Sequence, residues 1–330
     1  MKKSSDDRQR GASIALVERD TGLSKDTLRV WERRYGFPAP DRDANGERVY
    51  PHDQVVKLRL LRRLMDGGCR PGKIVPMGMD ELNALAGEVA ARRQVAGVPD
   101  SVPDPEIAEF IDLLRRHQTG ALAQSMSTAV LKRGLEQFVI DVAAPLCAAV
   151  GEAWARGEIR VFEEHIFTEQ LTHVMRTALG SVRRSVPDPE STQDRPRVVL
   201  TTFPQEQHAL GLLMAEVLLA LHGCTCVSLG VQTPLPDIVM AADAQRADIV
   251  ALSFSMCMSP SQAVDGLLSL RGQLAAEAEI WVGGHCQALG KRGLSGADGI
   301  HAIPELTGIA AAVAAWRERH PGKAPGLSGR

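Results

Sequence analysis

Apolar residues in the first part of this 330-residue chain recur every three or four positions, whereas after residue 196 they come in short runs. Leu28, Trp31 and Tyr35 form one helical stripe. Leu113 and Leu114, then Leu131, Leu135, Phe138, Val139 and Val142, keep helical spacing. Residues 13–93 therefore read as short helices around a small hairpin, and residues 106–184 as four helices. From 197 the runs RVVLTTF, CTCVSLG, DIVALSFS and EIWVGG alternate with helical stretches at 209–222, 235–245, 260–276 and 304–317. Strands alternating with helices predict a parallel, doubly wound sheet. Residues 94–105 and 185–196 have loop composition and read as linkers. Residues 1–12 are polar and expected to be disordered, and 318–330 read as a tail.

Three punctuated segments refine the N-terminal region. Ser13 can cap a helix over 14–20, Thr21-Gly22-Leu23 supplies a tight turn, and Ser24 can cap a second helix that Gly36 ends. Lys25, Arg29 and Arg33 recur every four residues, away from the apolar stripe. A short helix with cations on its free face suits a DNA major groove. Asn45-Gly46 is a strong hairpin dipeptide, and Arg42 and Arg48 flank it as a wing. Pro51 opens a further helix over 53–65, with Gly67-Gly68 as its stop. The architecture expected is multidomain: a winged helix-turn-helix, a four-helix bundle and a doubly wound, Rossmann-like or flavodoxin-like α/β domain.

Charge supports a polyanion partner for one end only. Residues 1–75 hold 17 Lys/Arg against 11 Asp/Glu, a net +6, while the remainder holds 21 against 29, a net −8. The six cysteines, at 69, 147, 224, 226, 257 and 286, are scattered. With no secretory signal they read as reduced cytoplasmic thiols. Cys224 and Cys226 would share one strand face, where small buried hydrophobes are expected more often than a metal site. The apolar run 210–221 is interrupted by Glu216 and too short to span a bilayer, so no membrane association is expected.

Two constellations carry candidate chemistry. His208 follows the first strand of the parallel sheet, where ligands bind open α/β sheets. Neutral imidazole suits a borderline transition metal, and Glu206 can fix its tautomer. Gly211 allows close backbone approach. Upstream, Trp154 precedes the pair Glu164-His165, which begins ten residues on, with a turn at Gly157 between them and a new helix from Val161. A flat indole can cover an apolar ligand face, and a carboxylate can accept hydrogen bonds from a ribose.

These residues resemble the CarH/LitR group of MerR-type regulators across residues 11–317. Thr27-Leu28-Arg29 with Trp31-Glu32-Arg33-Arg34-Tyr35-Gly36 looks like the MerR recognition helix, and Gly46-x-Arg48-x-Tyr50 like its wing. The resemblance implies that Arg29 and Arg48 contact a double-stranded DNA operator, with Lys25, Thr27, Arg33 and Arg42 as further DNA-facing candidates. Trp31, Tyr35 and Tyr50 would hold the scaffold. Glu206-x-His208-x-x-Gly211 resembles the cobalamin-binding signature, in which the histidine is the lower axial ligand of cobalt. The displaced tail would pass Ser253 and Ser255 and the pair Gly283-Gly284; Ser255 stands where the family carries another residue. Trp154, Glu164 and His165 would enclose the adenosyl group of adenosylcobalamin.

One position departs from the family. Light-sensing relatives carry a histidine directly after this tryptophan, where the present chain has Ala155. A second histidine ligand at that place is excluded; a differently ligated state, or recruitment of His165 or His173, remains. The resemblance implies a repressor, not an enzyme, that forms a homo-oligomer (dimer or tetramer) under control of adenosylcobalamin and light. The alternatives are a repressor sensing another cobalamin or tetrapyrrole, or none; a corrinoid carrier; and a MerR metal sensor, which would need thiols beyond Cys69 near the reader.

Overall fold

The computed structural model describes residues 11–66, 69, 71–85, 104–155, 158–182, 195–255, 258, 260–284 and 299–321. Gly67, Gly68, Gly157, Cys257, Cys286 and most of both expected linkers lie outside them. The chain divides into two compact units, Met1–Arg115 with Ala148–His165, and Arg116–Cys147 with Ile166–Arg330.

In the first unit, β1 (Ala12–Ser13) leads into α1 (Ile14–Thr21), followed by α2 (Lys25–Tyr35), β2 (Asp41–Arg42), β3 (Arg48–Tyr50) and α3 (His52–Asp66). Then come α4 (Pro71–Ile74), a helix over 79–85 (α5) and α6 (Pro105–Arg115). The Ser13 hydroxyl accepts from the Leu16 N–H, and the Ser24 hydroxyl from that of Thr27. Gly22 and Gly36 end the two helices at φ 66° and 68°, left-handed conformations that glycine adopts without steric cost. Leu28, Trp31 and Tyr50 pack with Val17, Leu58, Leu61 and Ile74 in one core.

Two details differ from the sequence reading. Ala12, expected in a disordered end, pairs with Tyr50, so the hairpin becomes a three-stranded sheet of order β1-β3-β2. The wing turn is not a two-residue Asn-Gly loop. Arg42 pairs with Arg48 across five residues, and the Asp43 carboxylate accepts from the backbone N–H groups of Asn45 and Glu47.

Downstream lie α7 (Thr119–Arg133), then a continuous helical stretch made of α8 (Leu135–Gln137), a π-helical turn (Phe138–Ala143) and α9 (Ala144–Ala155), then α10 (Val161–Val182). With α6 these make the four helical lengths expected between 106 and 184. The stretch 135–154 is long and apolar enough to cross a membrane by length and composition alone. Its Phe138, Val139, Val142, Leu146 and Val150 are buried, as in a core helix.

The remainder is the α/β sheet. β4 (Arg197–Thr201), α11 (Leu210–Leu221), β5 (Thr225–Gly230), α12 (Leu235–Ala244), β6 (Ile249–Phe254), α13 (Pro260–Arg271), β7 (Glu279–Gly284), β8 (Ile300–Ile303) and α14 (Ile309–Arg319) follow in order. The five strands are all parallel, in the order β5-β4-β6-β7-β8. Helices α12 and α13 bury Ile238, Leu267 and Leu270 against Val250, Leu252 and Ile280. Helix α11 meets α14. This is the flavodoxin-like order, whose switch point lies between β4 and β6. β8 is a fifth strand absent from the sequence expectation; it is short, and His301 and Ala302 are exposed.

Glu216, which interrupts the apolar run of α11, is 1% exposed and pairs with Arg176 of α10 at 2.7 Å. Cys224 is also buried, which pushes its thiol up to about 12, with Arg317 opposing the shift. A thiol so hard to ionise behaves as a small hydrophobe.

Candidate cofactor and nucleic-acid sites

The chain leaves β4 at Thr201 and reaches α11 through residues 202–209. The Thr202 hydroxyl donates to the Glu206 carbonyl at 2.7 Å and accepts from the Gln232 N–H at 2.8 Å. The Glu206 N–H donates to the Phe203 carbonyl at 2.9 Å. These bonds fold the loop back so that the Glu206 side chain is 2% exposed at the carboxyl end of the sheet.

A buried carboxylate must be satisfied. Oε1 accepts from the His208 backbone N–H at 3.0 Å and lies 2.5 Å from His208 Nδ1. Oε2 accepts from the Ser255 N–H and hydroxyl, both at 2.7 Å. Burial pushes the carboxyl up, but the hydrogen bonds and charge of His208, with the Ser255 N–H, outweigh it and hold Glu206 at about 2. The carboxylate is therefore ionised and takes the proton side of Nδ1. In the neutral ring, that arrangement leaves the lone pair on Nε2, and the side chain is 61% exposed.

The β6 and β7 ends close on this loop. Ser253 pairs with Gly283, and Phe254 with Gly284. A Cβ on Gly211 would stand 3.1 Å from the Ser253 hydroxyl. Gly284 adopts φ 98°, and a Cβ there would fall 2.1 Å from the Phe254 carbonyl, so only glycine fits. Glu206, His208, Gly211, Ser253, Ser255, Gly283 and Gly284 thus gather at the switch point. The Ser255 hydroxyl, expected to meet a cofactor tail, donates to Glu206 at 2.7 Å. Thr202 was not singled out from the sequence, because a threonine after a strand carries no local signal for anchoring a loop.

The donor set fits cobalt held in a corrin. Among the described residues no three His, Cys, Asp or Glu converge on a self-contained metal centre. A single anchored imidazole suits a metal that brings its other ligands with it. The open recess of about 560 Å³ beside the edge strand is lined by Arg176, Glu216 and residues 226–230, and does not include His208.

Trp154, Glu164 and His165 belong to the other unit. Arg160 opens α10, its N–H donating to Glu163 at 2.7 Å. One turn on, Glu164 and His165 approach to 3.7 Å. Trp154, near the end of α9, lies under the Arg59 guanidinium, 4.3 Å from ring centroid to Cζ.

On the reader, Arg29, Arg33 and Arg42 are exposed. Arg29 lies 3.5 Å from Asp26 and Lys25 lies 3.3 Å from Glu18, both half-exposed pairs that cost little to open. The Thr27 hydroxyl shares a hydrogen bond with Ser24 in the helix cap. Arg42 donates to the Gly46 carbonyl at 2.7 Å and braces the wing turn. Arg48 is half-buried and its Nε donates to Glu32 at 3.0 Å, so the recognition helix holds the wing arginine in place.

Comparison with known proteins agrees in each part of the chain. Residues 12–77 match the MerR HTH family regulatory protein model, and residues 106–179 and 196–313 match two B12 binding domain models. The chain is 32% identical over 284 residues to the HTH-type transcriptional repressor CarH of Myxococcus xanthus, covering 84% of this chain and 89% of that protein. It is 30% identical over 257 residues to the repressor CarA of the same organism, covering 76% and 78%. Its fold is also similar to the Methanosarcina barkeri monomethylamine corrinoid protein, at 15% identity and a TM-score of 0.48 over 62% of this chain and 94% of that one. The chain belongs to the CarH and CarA family: it is a MerR-type, cobalamin-binding transcription regulator and not an enzyme.

Proposed function

We propose that this protein is a repressor whose hold on a two-fold DNA operator depends on adenosylcobalamin and is reset by light. The observation that carries the cofactor side is the Glu206–His208 pair at the sheet's switch point. His208 Nε2 would hold the cobalt, with Glu206 fixing its tautomer, and Gly211, Ser253, Gly283 and Gly284 would make room for the rest of the cofactor. Ser255 acts through Glu206. Trp154, Glu164 and His165 engage the adenosyl side. When bound, the cofactor would supply a light-sensitive cobalt–carbon bond.

DNA is read by α2 and the wing. Arg29 and Arg33 enter the major groove, with Lys25 and Thr27 beside them. Arg48 and Arg42 meet phosphates or the adjoining minor groove. In the dark the loaded protein assembles as a dimer or tetramer, placing several readers on one operator. A ligand can do this only by preferring one of two states of the chain.

The test is size-exclusion chromatography with operator binding, using protein loaded with adenosylcobalamin and kept dark or illuminated. Smaller mass and weaker operator binding after light support the reading. Equal mass and affinity in both would leave a cobalamin-dependent repressor without a light response. Ala155 favours that second reading, because light-sensing members of the resembled group carry histidine there.

A further inference from the structure

Arg59 lies in the middle of α3, yet its side chain is 4% exposed. A buried guanidinium needs full pairing. Asp20, at the end of α1 and 8% exposed, supplies the charge: its Oδ2 accepts from Arg59 Nε at 3.1 Å and from a terminal nitrogen at 2.7 Å. That pair ties the first helix of the reader to α3. The guanidinium also lies over the Trp154 ring, at 4.3 Å from its centroid. An indole face is a favourable neighbour for a cation withdrawn from water. Asp20, Arg59 and Trp154 all belong to one compact unit, although Trp154 stands 95 positions beyond Arg59. The residue that is to engage the cofactor is thus already held by the DNA reader.

We infer that Arg59 is the positioning residue that couples the two sites: it holds the Trp154 indole against the reader, and cofactor engagement competes with it for that ring. This rests on the proposed role of Trp154 toward adenosylcobalamin. The same indole serves two partners, so the Arg59 contact and cofactor engagement oppose one another. Release of Trp154 leaves Arg59 with Asp20 alone, which loosens α3 within the reader.

The test compares wild type with the double variant D20N/R59Q, which keeps a hydrogen-bonding pair but removes the cation. Adenosylcobalamin is titrated in the dark by visible absorbance. The folded double variant should bind roughly 2- to 30-fold more tightly, the range of a cation–π contact from exposed to desolvated settings. In wild type, amide hydrogen exchange in residues 53–66 should rise when adenosylcobalamin is added. Equal or weaker binding by the folded variant, or unchanged exchange in wild type, overturns the inference. Should the variant fail to fold, the wild-type exchange decides alone. Wild type that takes up no adenosylcobalamin refutes the cofactor reading itself, a result distinct from normal uptake with unchanged exchange.

Discussion

One oxygen of Glu206 holds His208 twice, through its backbone N–H at 3.0 Å and its ring Nδ1 at 2.5 Å. The other oxygen holds Ser255 twice, at the end of the neighbouring strand. A single carboxylate therefore sets the imidazole's tautomer and its orientation, and ties the β4 loop to β6. The second function is what the local motif could not announce.

Replacing Glu206 by Gln should weaken adenosylcobalamin retention about 10- to 100-fold, the usual effect of losing a ligand's hydrogen-bond partner. Ser255→Ala should act in the same direction but less, because the Ser255 backbone N–H still reaches Oε2. Equilibrium titration followed by visible absorbance measures both. Equal effects of the two substitutions would mean that Ser255 meets the cofactor itself.

Gly284→Ala should destabilise the α/β domain by roughly 2–4 kcal/mol. The new Cβ would stand 2.1 Å from a backbone carbonyl at a φ of 98°, and backbone strain and steric overlap add there. Denaturant unfolding of the cofactor-free protein separates this loss of stability from any loss of binding. Gly211→Ala should be milder, since its neighbour at 3.1 Å is a rotatable serine hydroxyl.

The Arg48–Glu32 pair makes the wing testable. Arg29→Ala and Arg48→Ala should each flatten the slope of log K against log salt by about 0.9 for every phosphate that the arginine neutralises. Glu32→Gln should also weaken operator binding without changing the cofactor's affinity, because it frees the arginine it positions. Fluorescence anisotropy at several salt concentrations checks all three. An unchanged slope in Arg48→Ala would remove the wing from the interface.

Glu279 gives a pH dependence away from both sites. Burial raises its carboxyl, but Trp281 Nε1–H and Arg319, with His301, more than reverse this and leave it below the ordinary value. The stabilisation is thus present above the unfolded value near 4.5 and is lost as pH falls through the lower folded value. Glu279→Gln should unfold more readily than wild type at neutral pH, and the gap should narrow below about pH 4. Thermal unfolding from pH 7 to pH 3 measures it.

The alternation of apolar runs with helical stretches made four of the five parallel strands readable, and the flavodoxin-like order then placed the β4 loop beside β6. Periodicity missed β8, an edge strand of four residues, and β1, which has two. Short strands carry too few positions for a period to register. Glu206 and His208 were legible because they stand two positions apart. The Glu206–Ser255 bonds span 49 positions and Arg59–Trp154 spans 95, and pairings at such separations exist only after the chain has folded. Arg48 shows the same limit: its charge was visible in the sequence, but its partner Glu32 on the recognition helix was not.

The central claim, that an anchored His208 holds the cofactor, is tested most directly by titrating wild type and His208→Ala with adenosylcobalamin in the dark and following the visible spectrum. The account predicts an affinity lowered by at least about 100-fold in the variant, with a spectrum shifted from that of wild type and unfolding unchanged in the cofactor-free protein. Equal affinity with an identical spectrum would contradict it.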